Sequence, residues 1–243
     1  MISALALIFM FSGPALYFAL SFAGIYRLYP MESYVLMAVA IGLAWRTARS
    51  AGGWWRYGVC GFNIVMLVMF IYWTMFFSQI PEQKITVVVG KPFIPFTLTN
   101  HNGNLFKSAN LIGKSAALYL FYRGDWWPFC RVELEQLQKY YDDIRKYGVQ
   151  IYAVSVDNPE INRVLRERVG AGYTFLSDPD VTVLDRLHIR HHTPNPSGKD
   201  IAIPTQILVD KAGIVRWVYQ PSNYRIRARP ETILAALNSL NAS

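Results

Sequence analysis

From Met1 to Tyr26 the chain carries no charged residue, and from Tyr57 to Pro81 it again carries none. Wound as a helix at about 1.5 Å per residue, runs of this length cross a hydrocarbon layer of about 30 Å. The first third is therefore expected to be a transmembrane helical anchor over residues 1–80. Between the two runs, Met31 to Ala48 is apolar except for Glu32 near one end and Arg46 near the other. Charges that close to the ends reach the headgroup layer, so this segment reads as a further span. The expected spans are near 1–26, 31–48 and 57–79. Trp45, Trp54, Trp55, Tyr57, Tyr72 and Trp73 fall mostly near their ends, as interfacial aromatic residues do. A cleaved secretory signal would need a positively charged start, which Met1 to Tyr26 lacks.

The loops set the expected orientation. Arg46, Arg49 and Arg56 cluster between the second and third runs with no acidic residue among them, whereas Arg27 in the first loop is offset by Glu32. The positive-inside rule then puts the arginine loop in the cytoplasm. With three spans, the chain after about Gln79 lies on the exterior, periplasmic side of the cytoplasmic (inner) membrane. With two, the same rule would leave it inside.

Residues 84–243 read as one soluble α/β domain. Lys84 to Val89 is a β-branched run expected as an edge strand, Phe93 to Thr99 alternates weakly, and Asn100 to Asn104 is a turn. Ala116 to Tyr122 and Val149 to Val156 are continuous apolar runs expected as buried strands. Val132, Leu134, Leu137, Tyr141 and Ile144 recur at helical spacing, predicting a helix that begins at Pro128 and ends at Gly148. Further helices are expected over 160–169, 181–187 and 230–240, a short strand at Phe175–Ser177, and a polar loop over 188–200. Thr205 to Val209 and Ile214 to Tyr219 flank Asp210-Lys211-Ala212-Gly213, a strong hairpin signal. The result is a mixed sheet with helices on both faces.

Asp125-Trp126-Trp127-Pro128-Phe129-Cys130 sits where the first buried strand gives way to a helix. Thiol–disulfide chemistry is commonly run at such a junction by a Cys-x-x-Cys pair. Here Trp127 stands at the first position of the pair, and Cys130 is the single thiol. With Trp127 as N-cap and Pro128 as the first helical residue, Cys130 is the third helical residue. The helix dipole there favours thiolate, while cover by Trp126, Trp127 and Phe129 opposes it. Cys60, at the start of the last apolar run, reads as a small filler in a helix.

Four segments together resemble the peroxiredoxin-like (alkyl hydroperoxide reductase/thiol-specific antioxidant) branch of the thioredoxin fold. They are Phe121 to Trp126, Cys130-Arg131-Val132-Glu133-Leu134, Ser177-Asp178-Pro179, and Ile203-Pro204-Thr205 followed by Val209 to Gly213. The resemblance covers roughly Val89 to Leu240. It implies a thioredoxin-like domain, a cis-proline at Pro204 beside the thiol, and Cys130 as the peroxide-attacking position. It also exposes two departures. Trp127 stands where the family carries a threonine hydroxyl, and Pro204 stands where it carries its activating arginine.

Arg123 and Arg131 are the nearby charges expected to substitute, so the candidate catalytic set is Cys130, Arg123 and Arg131. Trp126, Trp127, Pro128, Pro204 and Thr205 are the expected structural or substrate-contact residues. Two functions follow from this set. One is a single-cysteine protein that reduces peroxide or exchanges with disulfides. The other is a catalytically silent fold used in binding or assembly of a membrane complex. An active Cys130 has no resolving cysteine on its own side, so an external thiol or partner redox protein is needed as reductant. The size of the anchor favours a membrane-protein partner as well.

No cofactor is implied. His188, His191 and His192 lie in or beside the polar loop with no Cys or carboxylate cluster near them in sequence, and they are expected as solvated histidines rather than metal ligands. Arg225, Arg227 and Arg229 alternate, so an extended segment points them to one face, expected to be solvated, with an anion or headgroup contact as the alternative. From Lys84 onward, 20 Lys and Arg stand against 14 Asp and Glu, scattered rather than in a stripe, so nucleic acid is not an expected partner.

Overall fold

The computed structural model describes residues 2–51, 53–80, 84–192, 198, 200–238 and 240. The chain divides into two compact units, Met1–Gln79 and Ile80–Ser243.

The first unit is three helices: α1 (Ile2–Phe22), α2 (Met31–Ala51) and α3 (Trp54–Tyr72), the last extended by a π-helical turn over Trp73–Phe77. Ala4–Phe22 and Trp54–Phe77 are long and apolar enough to cross a membrane by length and composition. α2, with Glu32, Arg46 and Arg49, is less apolar. Small residues let α1 and α2 approach closely. A Cβ on Gly13 would sit 2.8 Å from the Ser33 carbonyl oxygen, and Ala40, Ala44 and Ala48 are buried along α2. The Tyr34 hydroxyl and Thr74 Oγ1, 2.6 Å apart, share a hydrogen bond between α2 and the π turn. Cys60 packs with Ala6 and Ala44 as an apolar filler.

The second unit is a seven-stranded mixed sheet with thioredoxin-like order β2-β1-β5-β4-β3-β8-β9. Its strands are β1 (Thr97–Asn100), β2 (Leu105–Lys107), β3 (Ala116–Phe121), β4 (Val149–Ser155), β5 (Thr174–Ser177), β8 (Thr205–Val209) and β9 (Val215–Tyr219). β3, β4 and β5 run parallel, and β8 pairs antiparallel to β3. Every residue of β3 is buried, because helices cover both faces of the strand. Leu118, Leu120 and Tyr122 pack with helices α4 (Pro128–Lys139) and α8 (Pro230–Asn238). Ala117, Tyr119 and Phe121 alternate onto the other face with α7 (Thr182–Leu187). The remaining helices are α5 (Tyr141–Arg145) and α6 (Pro159–Arg168), the latter capped by the Asn158 side chain, which accepts from the Ile161 N–H at 2.9 Å.

Five expectations change. Lys84 to Val89 is not a strand: the Thr86 N–H donates to the Leu187 carbonyl and its hydroxyl to that of Arg186, so the segment is held by the end of α7 rather than by a sheet edge. β2 was not foreseen. The helix from Pro128 breaks at Tyr140, which leaves helical geometry at φ −103°, ψ 9° and separates α4 from α5. The polar loop begins and ends in a small ribbon, β6 (Arg190–His191) with β7 (Ile201–Ala202), while 193–197 and 199 lie outside the described residues. Finally, the bond before Pro204 is trans, as no described peptide bond is cis. The Ile203 N–H is already tied to the Ile189 carbonyl at 2.7 Å, and trans is the lower-energy form of an X–Pro bond by about 0.5–1 kcal/mol.

Candidate functional site around Cys130

Cys130 is the third residue of α4, with Trp127 as N-cap in an extended conformation and Pro128 at the first helical position. Pro128 is exposed, and it fits there because its missing N–H would have no helical acceptor. The thiol is fully buried. Two donors reach Sγ: the Arg123 backbone N–H at 3.4 Å and Nη2 of Arg227 at 3.3 Å. Burial, the largest influence, pushes the thiol pKa up; the Arg227 charge pulls it down, Glu133 raises it, and the Arg123 N–H lowers it. The net direction is upward, so the closed site holds a protonated thiol.

Arg227 was expected on a solvated face, yet it is 3% exposed. Its Nε donates to Oε2 of Glu133 at 2.5 Å, and Nη1 donates to the Tyr224 and Ile226 carbonyls. Glu133, one turn along α4 from the cysteine, also accepts from Gln206 Nε2 at 2.8 Å. Burial pushes the Glu133 carboxyl up, and Arg227 and Gln206 act against that. The segment before α8, one helix face and strand β8 thereby fix one guanidinium against the sulfur. Arg225 is buried too, and only Arg229 is exposed.

Arg123 closes the other side. Its guanidinium carbon lies 4.5 Å from the Tyr224 ring centroid, 5.3 Å from that of Trp127 and 6.0 Å from that of Trp126. Burial lowers its pKa to about 10, with Cys130 opposing and Arg227 adding to the fall. Nη1 lies 3.1 Å from Nδ1 of His191, which is half-buried rather than solvated. Burial and the Arg123 charge hold the His191 pKa down at about 4, so the ring is neutral near pH 7.

Trp127 packs on the core and meets Trp126, Phe129 and Tyr224 in ring contacts, so the position of a first cysteine is filled by an indole. The loop ahead of it is held by Asp157, whose Oδ2 accepts from the Asp125 N–H at 2.9 Å. Asp125 itself pairs with Arg168 at 2.9 Å.

The other expected residues fall around this centre. Arg131 is half-buried on α4, and it is Arg227 and Glu133 whose charges act on the thiol. Pro204 and Thr205 are buried at the start of β8, where Thr205 pairs with Phe121 and its hydroxyl donates to the Ile203 carbonyl. No group of three metal-ligating side chains occurs among the described residues. Arg227, Glu133, Gln206, Tyr224 and His191 were not foreseen as site residues. The alternating arginines were the one available signal for Arg227.

The AhpC/TSA family model matches residues 89–218. Over 156 residues the chain is 26% identical to thiol-disulfide oxidoreductase ResA of Geobacillus kaustophilus, covering 64% of this chain and 80% of that one. It is 27% identical over 135 residues to a putative peroxiredoxin, bcp, of Coxiella burnetii, covering 55% and 89%. Among solved structures, peroxidoxin BcpB of Mycobacterium tuberculosis aligns with a TM-score of 0.55 at 19% identity, covering 63% of this chain and 98% of that one. AhpC of Enterococcus faecalis aligns with a TM-score of 0.57 at 16% identity, covering 65% and 94%; at these identities the likeness is one of fold.

Proposed function

The chain belongs to the AhpC/TSA family, and from that membership we propose that it is a membrane-anchored thiol redox protein in which Cys130 reduces a peroxide alone. The observation that carries this reading is the convergence of Arg227 Nη2 and the Arg123 N–H on one sulfur in the first turn of a helix. Both donors stabilise a thiolate more than a thiol.

Burial is the largest influence holding the thiol protonated. Displacing Trp126 or Trp127 admits water, removes much of that influence, and leaves Arg227 and the N–H to favour thiolate. The proton leaves to solvent. The thiolate attacks the terminal peroxide oxygen, an S–O bond forms as the O–O bond breaks, and the departing alkoxide takes a proton from water. The products are an alcohol and a sulfenic acid at Cys130. An external thiol or a partner redox protein then attacks the sulfenic sulfur, releases water, and with a second thiol equivalent restores Cys130. A small peroxide suits a sulfur with no exposed surface better than a protein disulfide does. Dilute hydroperoxide followed by a sulfenic-acid trap tests the reading.

The anchor reading is three spans, with the arginine loop between α2 and α3 in the cytoplasm and the redox domain in the periplasm. It is supported by the exposed apolar side chains of α1, α3 and the π-helical turn that extends α3, such as Ile8, Phe11, Val68, Phe76 and Phe77, which need an apolar surrounding. A second reading, a catalytically silent module in a membrane complex, is favoured by the complete burial of Cys130 and by the indole at Trp127. The same trap separates the two.

A further inference from the structure

Among the described residues no carboxylate balances the Arg123 charge, which meets the faces of aromatic rings. Arg123 is 3% exposed, and among the described residues it forms no ion pair and its guanidinium makes one hydrogen bond, to His191. His191 is neutral, so Nδ1 accepts from the Arg123 Nη1–H. The groups that act electrostatically on Arg123 are Cys130, Arg227 and Tyr224, none of them a carboxylate. Arg227 is matched by Glu133. The two guanidiniums and one carboxylate therefore leave one positive charge in excess around a neutral thiol, and a buried charge without a counter-ion is costly. The loop carboxylates do not serve: Asp125 is paired with Arg168, and Asp157 accepts from the Asp125 N–H and the Ser155 hydroxyl.

The neighbouring donors are unmet in the same sense. Nε of Arg123, Nε1 of Trp126, Nε1 of Trp127 and Nε of Arg131 are all buried without an acceptor. Gly124, at φ +140°, allows the Trp126 indole to lie back over the loop; a Cβ there would be 2.9 Å from Nε1. Side-chain donors of one kind, a net cation, and the rings of Trp126, Trp127 and Tyr224 describe a ligand that only accepts hydrogen bonds, is negative, and has an apolar body.

We propose that Arg123, with the indole N–H groups of Trp126 and Trp127, binds the carboxylate of an organic substrate, so that the substrate class is a hydroperoxide that carries a carboxylate. The inference rests on the peroxide-reducing reading of Cys130 for its peroxide half and on the orphaned donors for its carboxylate half. The indoles close the approach in this structure, so entry displaces one of them, the same movement that wets the thiol.

The test is benzoate binding to the detergent-solubilised full chain carrying Cys130→Ser, read by tryptophan fluorescence and calorimetry. Saturable binding is expected, weakened about tenfold or more by Arg123→Gln and restored in part by Arg123→Lys. Should Arg123→Gln lose its thermal unfolding transition, Trp127→Phe removes one donor and keeps a ring; it should weaken binding several-fold. No saturable change up to the solubility limit of benzoate, or equal binding by these variants, overturns the proposal. Sulfate binding as tight as benzoate overturns the organic assignment. Because this chain lacks the thiol, a negative result leaves the redox reading standing. Intact benzoate binding with a peroxide-inert wild-type Cys130 overturns the redox reading alone.

Discussion

Nη2 of Arg227 lies 3.3 Å from Sγ of Cys130, although the two are 97 residues apart in sequence. A charged donor at that distance stabilises thiolate over thiol, and it arrives on a segment that the redox motif itself does not include. In this chain, with proline at position 204, Arg227 is the charge fixed against the sulfur.

Arg227→Met should slow oxidation of Cys130 by hydroperoxide about ten- to hundredfold, the value of a charge-assisted hydrogen bond of about 1.5–3 kcal/mol. It also strands Glu133 as a buried anion, which should cost about 3–5 kcal/mol of stability. Adding Glu133→Gln should recover most of that stability without recovering the rate. Stopped-flow oxidation and thermal melts of the single and double variants check both halves; recovery of the rate in the double variant would contradict the assignment.

Trp127→Ala should make Cys130 react faster with a small alkylating agent, with its pH profile shifted toward lower pH. Burial is the largest influence raising the thiol pKa, and the indole is part of that cover. Arg227 and the Arg123 N–H stay in place and favour the thiolate once water enters. An unchanged or upward-shifted profile would show that the indole is not the gate.

Burial raises the Asp157 pKa, with the Asp125 N–H and the Ser155 hydroxyl opposing. A group raised on folding contributes stability that is fully present below its unfolded pKa, about 3.9, and is lost as pH rises through the native value. Asp157→Asn keeps an acceptor for the Asp125 N–H and removes the charge. The variant should match or exceed the wild type in melting temperature at pH 7, with the advantage shrinking as pH falls toward 4. A variant less stable at pH 7 by as much as at pH 4 would contradict the sign.

What could be read from the sequence was local. The apolar run of β3, the Asp210–Gly213 turn and the Trp127–Pro128 helix start each depend on neighbours in the chain, and each lies where the pattern put it. β2 is three residues long, none of them fully buried, too short to show a period. The Glu133–Arg227 pair spans 94 residues, and alternating arginines look alike on a wet face and in a core until the segment before α8 is folded onto α4. His191 sits at the edge of a polar loop, and only the β6–β7 ribbon turns it toward Arg123.

The proposed topology has a direct check. Asn102 is exposed in the β1–β2 turn. An Asn102→Cys chain in intact spheroplasts should be labelled by a membrane-impermeant maleimide. Labelling only after lysis would place the domain in the cytoplasm and remove one of the three spans.

Whether Cys130 is a working thiol or a packed core residue is decided by its reaction with peroxide in the folded chain. Mass spectrometry of Cys130 in the folded, detergent-solubilised chain after dilute hydroperoxide, with a sulfenic-acid trap present, reads that reaction. A trapped sulfenic acid is expected at Cys130, prevented by an added thiol and suppressed by Arg227→Met. A Cys130 that stays unmodified until the domain is unfolded would contradict a working thiol.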